Sequence, residues 1–216
     1  MGIFGRTMVT FLPLAPRFVV RWVAKRYMAG ESLEQALDVM DALSSEGACF
    51  TVDVLGEEVK SLDESSWFID EYEKVLEAIA ERGLDASISI KPTALGLLID
   101  EQASHSNIER IVRKALDSGT FVRLDMEDHR STQATIDATK AMHAKGLTNV
   151  GVVLQGRMLR TQDDISNISS AMGIHTDFRI CKGIYLEPPE IAHTRYRDIV
   201  DATNSAVDAM LDSGAY

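Results

Sequence analysis

From residue 32 onward the chain alternates between short apolar, β-branched runs and longer amphipathic stretches, and this alternation restricts the folds open to it. Five runs are typical of strands. They are Ala48 to Leu55, Ala86 to Ile90, Thr120 to Met126, Asn149 to Gln155 and Asp177 to Tyr185. The stretches between them begin with capping-box spacings, as at Ser32 and Ser61, and end at glycines. Because the runs recur roughly every 30 residues, the length of a βαβ unit, we predict a parallel sheet with right-handed crossovers.

Two architectures are built from such units, an open doubly wound sheet and a closed eight-stranded barrel. No predicted strand is followed by GxGxxG or by a GxxxxGK phosphate loop, which favours the barrel. A barrel needs eight units and roughly 250 residues, whereas this chain of 216 residues supplies five strands. We therefore predict an α/β chain with about the first five units of a (β/α)8 TIM-type barrel in residues 32–216. A basic N-terminal helical segment in residues 1–31 is expected to precede it.

The distribution of charge separates the first 30 residues from the rest. The net charge of −11 argues against a nucleic-acid-binding protein, which would carry a basic face. The first 30 residues nevertheless hold no acidic residue and five basic ones, Arg6, Arg17, Arg21, Lys25 and Arg26. Their apolar runs are broken by prolines and arginines, and none approaches the roughly 20 residues of a membrane span. Two interpretations stay open, a helix packed on the domain and a basic amphipathic segment at an anionic membrane surface.

The cysteines and histidines carry no metal-binding pattern. Cys49 and Cys181 lie in apolar runs without a CxxC neighbour, so we expect buried, reduced thiols in a cytosolic protein. The five histidines show no HxH or HExxH spacing, and we expect them to be solvated side chains in helices or loops. We therefore predict no metal site and no metal-dependent hydrolase.

Four consecutive predicted strands carry a charged or amide side chain near their carboxyl ends: Lys91, Asp125, Gln155, and Arg179 with Lys182. In a parallel α/β protein these ends meet at the face where ligands bind. Burying such a group without a partner costs roughly 2 kcal/mol or more, so we predict a binding site for an anion such as a carboxylate or phosphate. The alternative is a structural cluster of salt bridges. Lys182 or Lys91 could also form a Schiff base, as in aldolases, and the spacing leaves that alternative open.

Ordered segments of the chain resemble the monofunctional bacterial proline dehydrogenases. The matching pieces are AGESLEQALDVMDALSSEG followed by TVDVLGE, then SISIKPTALGL, FVRLDMEDHRST, NVGVVLQGRMLRTQDDI and FRICKGIYLEPPEIA, which together cover nearly all of residues 28–216. The resemblance implies a distorted (β/α)8 barrel that oxidises L-proline to Δ1-pyrroline-5-carboxylate with FAD. The electrons would then pass to a membrane quinone.

The resemblance also implies roles for particular residues. Asp125 and Arg179 would be catalytic, and Lys91 would help to bind the substrate carboxylate. A positive charge at Arg179 near the flavin would stabilise the negative charge of the reduced cofactor. Tyr185 and Glu187 are expected to support the loop that carries them. The FAD contacts would come from Met126, Gln155, Lys182, Gly183 and Ile184.

The chain departs from the family pattern at three places. KPTAL puts Pro92 directly after Lys91, where it should end strand pairing because proline lacks an N–H. Ile184 stands where alanine is common, and the segment from Gln155 to Arg160, QGRMLR, replaces an aromatic-containing QAYLYR. Cofactor packing is therefore expected to differ in detail.

The family also has a Thr-His strand end that contacts FAD and a late helix with an arginine pair, and both would follow Tyr216. We therefore expect a C-terminally truncated chain that, by itself, retains FAD weakly or not at all. The alternatives to a proline-oxidising enzyme are an inactive partial barrel that binds a partner chain or an anion, and a Schiff-base aldolase. The quinone acceptor and the basic residues 1–30 imply a cytoplasmic location, peripheral at the inner face of the membrane.

Overall fold

The computed structural model describes residues 32–215 together with Pro16, Ala29 and Gly30. A boundary between Ala48 and Cys49 divides the chain into two compact units. The first unit contains helix α1 (Leu33–Ser44), whose N-terminus is capped as predicted, because the side chain of Ser32 accepts a hydrogen bond from the Gln35 N–H. Apart from Pro16, Ala29 and Gly30, the predicted basic segment in residues 1–31 lies outside the described residues. The predicted domain boundary at residue 32 stays a prediction.

In the second unit five strands alternate with five helices over the described residues. The elements are β1 (Phe50–Asp53), α2 (Leu62–Arg82), β2 (Ala86–Ile90), α3 (Glu101–Asp117), β3 (Val122–Leu124), α4 (His129–Ala144), β4 (Val150–Gln155), α5 (Thr161–Met172), β5 (Phe178–Cys181) and α6 (Tyr196–Asp212). Short 3₁₀ helices cover Pro92–Leu95 and Gly173–His175. Both ends of α2 follow the sequence signals: the Ser61 side chain accepts from the Glu64 N–H, and Gly83 ends the helix with a φ of 62°.

All five strands are parallel and lie in the order β1-β2-β3-β4-β5. This order follows the chain without a switch point, as in a barrel, whereas an open doubly wound sheet reverses its strand order near the middle. The predicted barrel-type fold is confirmed. β2 has the predicted bounds, but the last strand is shorter than predicted because it ends at Cys181, and Gly183 has a φ of +90° that an extended strand cannot contain.

Alternate strand residues build the core between the sheet and the helices. Val152 and Leu154 of β4 pack with Ile136 of α4 and Ile165 of α5, all of them buried. Equivalent positions on the neighbouring strands, Ile88, Ile90, Val122 and Leu124, have no exposed surface. Because side chains alternate between the two faces of a strand, the residues between these positions lie on the opposite, inner face of the sheet.

The inner face is concave. The guanidinium Nη1 of Arg179 on β5 lies 3.1 Å from the hydroxyl of Ser89 on β2, although two strands separate them. Three strand spacings amount to about 14 Å in a flat sheet, which is beyond the reach of an arginine side chain. The Tyr185 hydroxyl likewise lies 3.0 Å from Glu57 Oε2, and these residues follow the two edge strands. The sheet therefore curls as half of a barrel wall does.

Two expectations about individual side chains were wrong. Cys49 is exposed because it precedes the edge strand β1, and Cys181 is half-buried. His143 is half-buried rather than solvated: its Nε2 lies 2.7 Å from the Val150 carbonyl oxygen, and burial lowers its pKa. Among the described residues, no helix combines the length and the apolar character that crossing a bilayer requires.

Candidate active site

Three of the predicted site residues meet around one carboxylate. Asp125 Oδ1 accepts a hydrogen bond from Nη2 of Arg179, and Asp125 Oδ2 lies 3.3 Å from Nζ of Lys91. The backbone explains the meeting of Lys91 and Asp125. Ile90 and Leu124 are register partners at the ends of β2 and β3, so the residues that follow them emerge side by side. Of the five residues predicted to meet at this rim, the structure joins Lys91, Asp125 and Arg179 by direct contacts, and their chemical roles stay predictions.

Sequence reasoning missed two further members of this cluster. Lys91 Nζ also donates to Asp53 at the end of β1, and Arg179 Nη1 donates to the Ser89 hydroxyl. Asp53 and Ser89 are register partners in the sheet. Asp53 carries the same signal as the other residues, a charged side chain at the end of an apolar strand, and it could have been found by that rule. Ser89 carries none, since a small hydroxyl in a strand is commonplace.

The hydroxyl of Tyr72 contacts Asp53 from the helix layer. Tyr72 lies on α2 and is completely buried; its oxygen is 3.0 Å from Asp53 Oδ1, 2.8 Å from the Ser89 carbonyl oxygen and 3.3 Å from the Val54 nitrogen. Burial, followed by the nearby charge of Asp53, raises the pKa of this phenol, so it stays neutral and donates. A tyrosine at a core position of an amphipathic helix gives no sequence signal of such a role.

The cluster is balanced in charge. Burial disfavours the charged form of Lys91, but Asp53 and Asp125 outweigh it and raise the pKa of the ammonium group. Lys91 and Arg179 together neutralise the two carboxylates. A lysine that stays protonated is a poor nucleophile, so this arrangement weighs against a Schiff base at Lys91. The other candidate, Lys182, lies outside β5, with its Nζ 5.2 Å from the centre of the Tyr196 ring.

Gln155 reaches the neighbouring segment after β3. Its Nε2 donates to the carbonyl oxygens of Met126 and Glu127 at 3.0 and 2.9 Å. Its Oε1 is buried and has no hydrogen-bond partner among the described residues. Gly183 lies against this amide: a Cβ added to Gly183 would lie 2.6 Å from Gln155 Oε1 and 2.6 Å from Arg157 Cδ. The main chain at position 183 therefore approaches Gln155 more closely than it could if this residue carried a side chain.

The other predicted cofactor residues differ in how far they are buried. The Met126 side chain is buried in the core between sheet and helices, so any contact it makes with a cofactor would come from its main chain. Lys182 and Ile184 lie on the loop after β5, and 84% of Ile184 is exposed.

The carboxyl group of Glu127 fixes the turn that follows Lys91. It accepts hydrogen bonds from the Thr93 N–H at 3.0 Å and from the Thr93 hydroxyl. Pro92 ends the pairing of β2 as predicted and occupies the first position of the 3₁₀ helix, where its missing N–H has no cost. Glu127 is buried, and desolvation raises its pKa despite these hydrogen bonds. The position of Lys91 thus depends on the buried acid Glu127 as well as on Asp53 and Asp125.

Two side chains hold the loop after β5, in the supporting role expected for them. The Tyr185 hydroxyl bonds Glu57, as described above. Glu187 is buried, and its two carboxylate oxygens contact the N–H and Nδ1 of His129, at 3.0 and 2.6 Å. His129 is the first residue of α4, so a carboxylate there also satisfies a free N–H of the helix end.

A family model described as "Proline dehydrogenase" matches residues 36–213. The chain belongs to the proline dehydrogenase family. A proline dehydrogenase of Deinococcus radiodurans is 32% identical over 198 residues, which are 90% of this chain and 63% of that protein. Proline dehydrogenase 1 of Bacillus subtilis strain 168 is 28% identical over 207 residues, 96% of this chain and 67% of that protein. The chain therefore spans a little under two thirds of the Deinococcus relative.

Solved structures of two other proteins share the fold. Proline utilization A from Bdellovibrio bacteriovorus, inactivated by N-propargylglycine, superposes with a TM-score of 0.82 at 19% identity, covering 90% of this chain and 25% of that one. The D778Y mutant of proline utilization A from Bradyrhizobium japonicum superposes with a TM-score of 0.68 at 17% identity, covering 86% and 24%. At these identities the likeness establishes the barrel-type fold of the proline dehydrogenase domain.

We expect Gly183→Ala to destabilise this proline dehydrogenase family member more than Gly146→Ala does. Both glycines have positive φ, +90° and +79°, so both substitutions carry a similar backbone cost. Only at Gly183 would the new Cβ collide, with Gln155 and Arg157, and this should lower the free energy of unfolding by a further 1–3 kcal/mol or so. Urea unfolding of both variants measures the difference. Equal losses would show that the close approach at Gly183 has no energetic weight.

The raised pKa of Glu127 predicts a pH dependence. The native state holds the carboxyl proton more tightly than the unfolded chain, so the contribution of Glu127 to stability is fully present below its unfolded pKa of about 4.3 and is lost as the pH rises through the native pKa. Glu127→Gln stays neutral at every pH and keeps one acceptor for Thr93. The difference in unfolding free energy, wild type minus Glu127→Gln, should therefore fall between pH 4 and pH 7. A difference that rises or stays constant would contradict the assignment.

Proposed function

We propose that this chain contributes the substrate and cofactor site of an FAD-dependent oxidoreductase, which oxidises L-proline to Δ1-pyrroline-5-carboxylate and passes the electrons to a quinone. The observation that carries the proposal is the cluster of Lys91, Asp125 and Arg179 at the carboxyl ends of β2 and β3 and within β5. Membership of the proline dehydrogenase family supports the reaction and the substrate. The position of the cluster agrees with the rule that parallel barrels bind ligands at this end.

The residues beside the cluster fit a planar, polar cofactor. The buried Oε1 of Gln155 lacks a partner among the described residues, so a hydrogen-bond donor on a ligand would complete it. The main chain of Gly183 lies close to the same amide, and Ile184 presents an exposed apolar side chain on the same segment. Gln155, Lys182, Gly183, Ile184 and the main chain of Met126 would hold the flavin. When bound, the flavin would supply the hydride acceptor, which no amino-acid side chain can provide.

The protein's own side chains would bind and orient the substrate. Asp125 holds the Lys91 and Arg179 side chains through its two oxygens and fixes the distance between them. Two of the three N–H bonds of Lys91 are used by Asp53 and Asp125, which leaves one for a substrate carboxylate. Arg179, held by Asp125 and Ser89, would keep a positive charge at a fixed position. Such a preorganised charge stabilises negative charge that develops during a reaction.

The test is the visible absorption spectrum of the purified protein, incubated with FAD and then treated anaerobically with L-proline. The resemblance alone implies weak FAD retention, whereas the proposed site predicts, at saturating FAD, a bound flavin band that bleaches with L-proline and is unchanged by L-alanine, a primary amine. Arg179→Met should slow bleaching by about 100-fold or more, because one preorganised charge is lost. Arg113→Met removes a solvent-exposed arginine that pairs with Glu109 on α3, and it should bleach as the wild type does. A protein that binds no FAD, or a flavin band that proline leaves unchanged, would overturn the proposal.

The quinone acceptor implies a membrane surface, and the basic residues 1–30 are the candidate contact. Neutralising Arg17, Arg21, Lys25 and Arg26 to glutamine should lower binding to anionic vesicles by at least about tenfold, since each basic residue near such a surface contributes about 1 kcal/mol. A matched control changes the net charge equally at Arg110, Arg113, Lys114 and Lys145, which form ion pairs on or near α3. Equal losses in both variants, measured by co-sedimentation, would remove the proposed contact.

A further inference from the structure

Arg157 contacts the segment Lys182–Tyr185 at three successive points. Its main-chain N–H lies 3.2 Å from the Lys182 carbonyl oxygen. Its Cγ and Cδ pack where a side chain on Gly183 would otherwise be, 2.9 and 2.6 Å from the position of the missing Cβ. Its Nη1 donates to the Tyr185 carbonyl oxygen. Arg157 thus contacts Lys182, Gly183 and Tyr185, in a segment that has no regular secondary structure of its own.

The environment of Arg157 is unusual for an arginine. Only 7% of the residue is exposed, and its Nε is buried without a hydrogen-bond partner among the described residues. The other arginines of the site region hold carboxylates, as Arg179 does with Asp125, whereas the bond that the structure gives the Arg157 guanidinium goes to a main-chain carbonyl. A buried guanidinium without a carboxylate partner is costly, because the charge has left water. The contact with Tyr185 is therefore a charge-assisted hydrogen bond in a poorly solvated place, where such bonds are strong.

We propose that Arg157 is the positioning residue for the segment Lys182–Tyr185, and that it sets the flavin affinity of the protein by holding this segment against Gln155. The second part rests on the proposed function, since Lys182, Gly183 and Ile184 are the proposed flavin contacts. Arg157 acts through these residues. The segment lies within van der Waals distance of both Gln155 and Arg157, so a shift of Gly183 changes the space beside the unpartnered Oε1 of Gln155.

The test uses two substitutions of Arg157 and one control. Arg157→Met keeps a straight stem to pack against Gly183 and removes the donor to Tyr185. Arg157→Lys restores a cationic donor on a stem of similar length. Arg113→Met removes a solvent-exposed arginine and is the surface control. Hydrogen–deuterium exchange of residues 182–187 is measured without FAD, with β4 residues 150–155 as an internal reference, and the dissociation constant of FAD is measured by absorbance titration.

We expect Arg157→Met to raise exchange in residues 182–187 by about tenfold or more while exchange in β4 is unchanged, and to raise the FAD dissociation constant by a similar factor. Arg157→Lys should restore most of both effects, and Arg113→Met should change neither. A role confined to overall stability would raise exchange in β4 as well and would not be rescued by lysine. If Arg157→Met does not fold, Arg157→Lys alone decides, because the shorter reach of its single amine should still give a local, smaller increase.

Unchanged exchange in residues 182–187 would overturn the positioning role. Increased exchange with an unchanged FAD dissociation constant would overturn the link to flavin affinity and leave the positioning role standing. A wild-type protein that takes up no FAD would overturn the proposed function and that link together. The exchange measurement needs no cofactor and would still decide whether Arg157 holds the segment.

Discussion

The carboxylate of Asp125 accepts from an arginine through one oxygen and contacts a lysine ammonium through the other, and the form of the sheet depends on that double contact. Lys91 and Asp125 follow adjacent strands, whereas Arg179 comes from β5 and also reaches Ser89 on β2, which a flat sheet would keep about 14 Å away. Direct contact between these charged groups, without water between them, requires a concave inner face. The ion pairs and the curvature of the sheet therefore stabilise each other. Asp53 completes the balance on the other side of Lys91. The inner face is thus polar, and the outer face, which packs against the helices, is apolar.

A second layer of buried groups holds the charged layer in place. Tyr72 reaches Asp53 from α2, and Glu127 holds the turn that begins after Lys91. Burial raises the pKa of both groups, which favours their neutral forms. The neutral hydroxyl of Tyr72 fixes the geometry of Asp53 without altering the charge balance of the cluster. This division explains how four ionised side chains can share a small, partly buried space.

The loop after β5 carries the features that distinguish this chain within its family. Its main chain approaches Gln155 through Gly183, and the segment containing Arg157 is also where the sequence departs from the aromatic-containing family pattern. The arginine at that place forms a directed bond to the Tyr185 carbonyl oxygen.

The sequence by itself determined the five βα units, the parallel order, the barrel-type fold and the convergence of Lys91, Asp125 and Arg179, because hydrophobic period and strand-end position are local properties. The same strand-end rule would also have found Asp53. It could not reveal Tyr72, Ser89 or Arg157, since each looks like an ordinary core, strand or loop residue until the chain folds. It also extended the last strand to Tyr185 and buried Cys49, because an apolar run does not say where pairing stops or which strand lies at an edge. Those outcomes depend on which strands become neighbours and on how far the sheet curls, and only the tertiary structure decides both.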